Sequence, residues 1–339
     1  MKTTKPKRKT TLKTAPPAHH KTLAEIARAL RRYRTFFIAG HMKPDGDTVG
    51  TALALASLLK RMGKQAHIFS REAIPSNLTF LPGACNIRVV ERVRRKFDCA
   101  IILECKDLAR MGDMITPGQV QEIINIDHHA DFNPFGTINY LDPTASSSAE
   151  QVFNLFAHLK MPVLRNEAEG MYVGLVTDTG QFQHSNTTPS ALNMASSLLA
   201  DGIVPEHIFD NLYANNSLSA LHLLGATLQT IEKTADGKIA CMTIPTATYT
   251  ATGSDVTETD GIINFAMTMP TVVVGILLRE TDVKGQIKIS LRSRGSFNVN
   301  AVAHHFGGGG HKKAAGCSMN GTLSSVKKAI IDFVHKSMV

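Results

Sequence analysis

Four stretches of this 339-residue chain end apolar runs on side chains that can bind cations or carry protons. GHMKPDGDTVG sets His41, Asp45 and Asp47 behind the apolar TFFIA, and Pro44 with Gly46 forces a loop in which the three groups can converge. IILECKDLARMG carries Glu104 at the end of an apolar run. INIDHH stops on Asp127, His128 and His129, and YVGLVTDTGQFQHSNT holds Asp178 between two threonines. Imidazole mixed with carboxylate suits manganese, iron, cobalt or zinc better than calcium. Each stretch also has a plainer reading: a polar turn in which Asp47 caps the next helix, or surface charge at a strand end. Four such stretches on one sheet edge favour a metal site over four independent coincidences.

The elements that must position them follow from hydrophobic patterning. Residues 35–39, 64–70, 97–103 and 122–126 read as strands. Residues 48–62 read as a helix closed by Gly63, with further helical patterns at 148–159, 167–177 and 189–200. Nearly all-apolar strands alternating with helices predict an α/β fold, a parallel sheet with helices on both faces. Ligands in such sheets gather beyond the carboxyl ends of the strands, where the polar clusters lie. After a helical, polar connector at 203–232 the texture changes. Strands at 238–244, 271–279 and 286–292, a helix at 299–306, a glycine run and a helix near 323–337 predict a smaller α/β C-terminal domain.

The totals set limits. At 43% apolar residues the chain can bury a substantial core in two domains. Seven of the nine net positive charges lie in residues 1–22, which hold no acid and are expected to form a disordered basic tail. The body is therefore near neutral, and global charge says little about nucleic acid. Five cysteines without C-x-x-C spacing read as free thiols. No apolar run reaches the roughly 18 residues of a membrane span, and the N-terminus lacks the apolar core of a signal peptide, so a cytoplasmic location is expected.

His41-x3-Asp45-x-Asp47, Glu104, Asp127-His128-His129 and Asp178 together resemble the DHH phosphoesterase superfamily. FGGGGHKKAAG, Phe306 to Gly316, resembles the signature of the DHH-associated C-terminal domain. The two-domain layout is most similar to the nano-RNase/pAp-phosphatase group. One departure stands out: the second motif of the family usually supplies Asp where this chain has Glu104, so its backbone must recede slightly for the carboxylate to bind.

The resemblance implies a catalytic DHH domain at 23–202, the connector at 203–232, a substrate-binding domain at 233–339 and an active site in the cleft between the domains. It implies two divalent ions, manganese by preference. His41 and Asp45 would hold one and Asp47 and His128 the other, with Glu104 and Asp178 shared. Asp127 would orient the imidazoles and His129 would face the substrate phosphate. Two ions roughly 3.5–4 Å apart can hold a bridging hydroxide and clamp a phosphate, so no protein nucleophile is needed. No G-x-S-x-G elbow is present to supply one. Gly307, Gly308, Gly309 and Gly310 lack Cβ atoms and would let backbone approach the substrate. His311, Arg279 and Arg292, with Arg294 a weaker third, would donate to its phosphates.

The expected activity is hydrolysis of short oligoribonucleotides to mononucleotides and removal of the 3′-phosphate of adenosine 3′,5′-bisphosphate (pAp). Alternatives are a phosphodiesterase of cyclic or linear dinucleotides and, in another class, a catalytically silent nucleotide-binding module. The expected partners are short single-stranded oligonucleotides and nucleotide bisphosphates, with no membrane and with a homodimer admitted.

Overall fold

The computed structural model describes residues 19–130, 133–259, 261–310 and 312–338, which form two compact units meeting at Asn215–Asn216. Residues 1–18 of the expected tail and His311 lie outside the described residues.

The first unit runs α1 (His20–Arg32), β1 (Thr35–Ala39), α2 (Gly46–Arg61), β2 (Gln65–Ser70), β3 (Arg88–Val89), β4 (Cys99–Leu103), β5 (Glu122–Asp127), β6 (Ile138–Leu141), α3 (Ser148–Leu159), α4 (Arg165–Asp178), α5 (Pro189–Ala200) and α6 (Pro205–Tyr213). Its strands are all parallel in the order β3-β2-β1-β4-β5-β6. The order reverses between β1 and β4, and at that switch point the crevice beyond the strand ends is open to a ligand. Strand alternation divides the core. Phe36, Ile38, Ile101 and Ile124 pack with residues from α1 to α6. Phe37, Ala39, Ala100 and Ile102 pack on the opposite face with Val93, Phe97, Met111 and Met114. That second face is covered by connecting segments with 3-10 turns at Ala109–Met111 and Pro117–Gln119 rather than by α-helix.

The second unit contains α7 (Leu218–Leu228), β7 (Glu232–Lys233), β8 (Ile239–Ile244), α8 (Thr246–Thr252), α9 (Ile262–Ala266), β9 (Val274–Glu280), β10 (Gln286–Ser293), α10 (Val299–His305), β11 (Gly309–Gly310), β12 (Ala314–Asn320) and α11 (Leu323–Lys336). Its mixed sheet is ordered β11-β12-β10-β9-β8-β7, with only β8 and β9 parallel. The segment 203–232 is divided between the units: Ile208 and Leu212 of α6 join the first core, and Leu223 of α7 joins a core of the second.

Short or weakly apolar elements escape the sequence reading: α1, β3, β6, β7, β12, α8 and α9. β12 carries Ala-Ala-Gly-Cys-Ser-Met-Asn, small residues with no strand pattern, and is fixed by seven register pairs with β10. Cys99, Cys105, Cys241 and Cys317 are buried free thiols and Cys85 is exposed. Among the described residues no helix is long and apolar enough to cross a membrane.

Candidate metal centre

The loop after β1 delivers the first three groups. α2 starts two residues earlier than the pattern predicts because Asp45, not Asp47, is its N-cap: Asp45 Oδ1 accepts from the Thr48 N–H at 3.0 Å. The second oxygen, Oδ2, lies 3.5 Å from His41 Nε2, so one carboxylate both starts the helix and faces the imidazole. His41 Nε2 also lies 3.0 Å from Thr48 Oγ1 and 3.6 Å from Glu104 Oε2. Asp47, in the first turn of the helix, is wholly buried. Its Oδ1 accepts from Ala149 N–H at 2.9 Å and Thr51 Oγ1 at 3.0 Å, and its Oδ2 from Ser148 N–H at 2.6 Å. The N-terminus of α3 thus anchors Asp47 and leaves one lone pair on Oδ2 for a further partner.

Glu104 directly follows β4 and is 2% exposed. Its φ of +56° puts it in the left-handed region, which costs a non-glycine residue about 1–2 kcal/mol. Its N–H bonds Ile126 O at 2.9 Å. Its Oε1 is buried with no hydrogen-bond partner.

Asp127 ends β5, with Oδ1 accepting from the His129 N–H at 3.0 Å and lying 2.8 Å from His129 Nδ1. It therefore orients His129. His128 Nε2 lies 3.2 Å from Asp178 Oδ2 but makes no hydrogen bond of acceptable angle.

Asp178 reaches the site from the last position of α4, not from a strand. A carboxylate is disfavoured at a helix C-terminus by the helix dipole, so it needs compensation from outside the helix. Its arrival depends on glycines that the sequence reading passed over. An ideal Cβ on Gly50 would lie 2.0 Å from Gly170 O, and one on Gly174 would lie 2.5 Å from Asp47 Oδ1. α2 and α4 touch backbone to backbone there, which draws Asp47 and Asp178 together. Gly46/Gly50 and Gly170/Gly174, each four apart on a helix, were the available signal. Asn186 was missed too: its Nδ2 donates to Ser146 O at 2.9 Å and Asp178 O at 3.2 Å, tying the end of α4 to the segment before α3.

Electrostatics separate these groups from ordinary surface charge. Burial raises the Asp47 carboxyl, although His128 opposes it. Burial, then Asp47 and Asp45, push Glu104 well above its usual range. Burial with Asp47 and Asp45 raises Asp178 to about 9. Asp45 goes the other way: desolvation pushes it up, but His41 and the Thr48 N–H hold it at about 2. Burial lowers His128 and favours the neutral imidazole that ligates metals. Crowded carboxylates of this kind cannot all ionise near neutral pH unless cations offset their charge; otherwise some stay protonated.

The donor set fits cations. His41, Asp45 and Glu104 offer ligand atoms within 4.8 Å of one another, and so do Asp47, Glu104 and His128. Glu104, with its unpartnered oxygen, is common to both groups. Asp178 belongs to neither but lies against His128.

In the second unit, register places Arg279 opposite Lys288 and Arg292 opposite Gly275, so both arginines share a face of the sheet. Arg279 Nη1 donates to Thr259 Oγ1 and, at 3.3 Å, to Val256 O; its Nε is buried without a partner. Arg292 Nη1 donates to Leu291 O at 3.1 Å. Arg294 is engaged by Pro270 O and Met267 O. The glycine run has a packing reason. Gly309 and Gly310 form β11 against Gly316 and Ala315, and a Cβ on Gly308 would lie 2.2 Å from Gly316 O.

A parallel sheet with a carboxylate–imidazole cage at its switch point, in a chain with a second mixed-sheet unit, defines a class of metal-dependent α/β proteins. The chain belongs to the DHH family: residues 35–175 match the DHH family, N-terminal domain, and residues 244–338 match the DHHA1 domain. It is 29% identical over 317 residues to the bifunctional oligoribonuclease and PAP phosphatase NrnA of Thermus thermophilus, covering 93% of each chain. It is 26% identical to the protein of the same name from Bacillus subtilis, covering 87% of this chain and 92% of that one. The crystal structure of an exopolyphosphatase-related protein from Bacteroides fragilis superposes with a TM-score of 0.87 at 27% identity, covering 93% of this chain and 96% of that one.

Proposed function

We propose that this chain is a metal-dependent phosphoesterase that hydrolyses short oligoribonucleotides to mononucleotides and removes the 3′-phosphate of pAp. The observation that carries the reading is the Glu104 carboxylate shared by two adjacent donor groups, His41/Asp45 and Asp47/His128. The likeness along nearly the whole chain to relatives named for these two activities supports the substrate class.

Two divalent ions, manganese by preference, would polarise the phosphoryl oxygens and acidify the attacking water. His41, Asp45 and Glu104 would hold one; Asp47, Glu104 and His128 would hold the other, with Asp178 beside His128 available to the second. The chain does the remaining work. Asp47 is fixed by three hydrogen bonds, so the cage is formed in advance. Asp127 sets the tautomer of His129 by accepting from Nδ1 and supports its charge when protonated, and Nε2–H then donates to a substrate phosphate oxygen. Arg279, Arg292 and the backbone of Gly307, Gly308, Gly309 and Gly310, with His311, form the substrate-holding part of the second unit.

The test is turnover of pAp, linear dinucleotides and cyclic di-AMP with added manganese, followed by metal analysis of the purified protein. Release of mononucleotides and of phosphate from pAp is expected. Activity confined to the cyclic compound, or an equal rate with and without metal, would reject the reading.

A further inference from the structure

A pocket of about 520 Å³, open to solvent, is lined by Met42, Arg71, Glu72, Val89, Val90 and Glu91. It is shallow and open on most sides, so an occupant would rest against its floor rather than be enclosed. It shares a wall with the metal centre, because Met42 follows His41 and its N–H is held at 3.0 Å by Arg110 O. Gly112, at φ +86°, underlies the wall: an ideal Cβ there would lie 2.9 Å from Arg71 Cγ and 3.1 Å from Met42 Cγ. The Arg71 stem and the Met42 side chain therefore close over bare backbone. A second void behind the same loop, bounded by His41, Thr48 and Phe69, measures about 10 Å³ and has room for no more than a water.

Charge and shape restrict the occupant. One guanidinium and two carboxylates line the pocket, an excess of negative charge that repels a phosphate. Met42 and Val89, 39% and 55% exposed, offer apolar surface to a flat ring. Arg71 Nη2 lies 3.3 Å from Glu91 Oε1, and Glu91 is 87% exposed. A pair so exposed contributes little to stability and can turn towards a ligand. A donor beside a carboxylate matches the edge of guanine, whose O6 accepts while N1–H and N2–H₂ donate. Adenine would set its N1 acceptor against the carboxylate.

Resting on the phosphoesterase reading above, we infer that this pocket is the subsite for one nucleobase of a dinucleotide, with guanine preferred. The base belongs to the nucleoside joined through its 5′-oxygen to the attacked phosphorus. Water adds to that phosphorus, the bond from phosphorus to the neighbouring 3′-oxygen breaks, and the water proton passes to the departing 3′-oxygen. In pAp the same phosphorus carries no second nucleoside, so its hydrolysis makes no use of the pocket.

The full chain with manganese is assayed on pApG, pApA and pAp, alongside Arg71→Ala and Glu91→Gln. The wild type is expected to favour pApG over pApA by about fivefold or more in kcat/KM, a preference that Glu91→Gln removes. Arg71→Ala is expected to lower the ratio of kcat/KM for pApG to that for pAp by about tenfold. An unchanged ratio in both variants overturns the inference. So does an equal fall on both substrates, which would mean that Arg71 only braces the His41 loop. A wild type that hydrolyses none of the three defeats the phosphoesterase reading instead. The pocket is then decided by calorimetric binding of pApG: weakening by Arg71→Ala supports the subsite, and unchanged affinity overturns it.

Discussion

The two units use glycine for the same packing purpose and yet prepare different kinds of site. In the first, Gly50, Gly170 and Gly174 let α2 and α4 meet, and the closeness leaves Asp47 and Glu104 buried, with the half-buried Asp178 crowded against them. In the second, Gly308 lets β11 lie on β12, while Arg279 and Arg294 are occupied by Thr259 and by backbone carbonyls. The first unit thus holds a cluster of groups whose needs its own atoms do not meet, and the second holds cations largely braced by neighbours, Arg279 Nε excepted. Unmet electrostatic demand marks where a cofactor belongs, whereas a braced arginine face suits recognition of a substrate that comes and goes.

The largest test of this contrast is Asp178→Ala. It should cut dinucleotide hydrolysis on the order of 10³-fold while the fold persists by circular dichroism. Rates equal to wild type would remove Asp178 from the centre. Gly174→Ala should follow, costing about 1–3 kcal/mol in thermal unfolding and weakening metal affinity, because its new methyl meets Asp47 Oδ1 at 2.5 Å. Gly308→Ala is its counterpart, expected to lose similar stability with metal affinity intact. If both variants bind metal equally well, the contrast is broken.

Arg292→Ala should raise KM for dinucleotides by about tenfold with kcat little altered. A fall in kcat alone would put Arg292 to some other use. The smallest effect concerns pH. Asp178 rises from its ordinary 3.8 to about 9 through burial and its carboxylate neighbours, so between those values the folded chain holds more protons than the unfolded one. Stability of the metal-stripped protein should therefore decline as pH rises through that window. Calorimetric scans with chelator should show Tm falling from acid to alkaline pH, and manganese should reverse the trend. A Tm rising with pH would contradict the crowding of the cage.

The residue types of the cage, their order and the parallel sheet behind them were all present in the one-dimensional pattern. Apolar runs that stop on His, Asp or Glu report both a buried strand and the place where it leaves the core. Asp45 as the cap, the crossing of α2 and α4 that brings Asp178 towards Asp47, and Glu104 in the left-handed region were not readable. Capping, helix crossing and a positive φ are each settled by neighbours distant in the chain. β6 and β12 were hidden for a related reason: their strand character comes from pairing with β5 and β10, not from local propensity.

What the sequence determined by itself was an inventory: which ligating groups exist, and that all but Asp178 follow strands whose ends face one way. The tertiary structure set Glu104 within reach of both donor groups, as the resemblance implied, and it alone decided that Asp178 stands outside both and that Met42 and Arg71 meet over Gly112. Such distances depend on how closely two backbones approach, and that is fixed by packing among residues far apart in the chain.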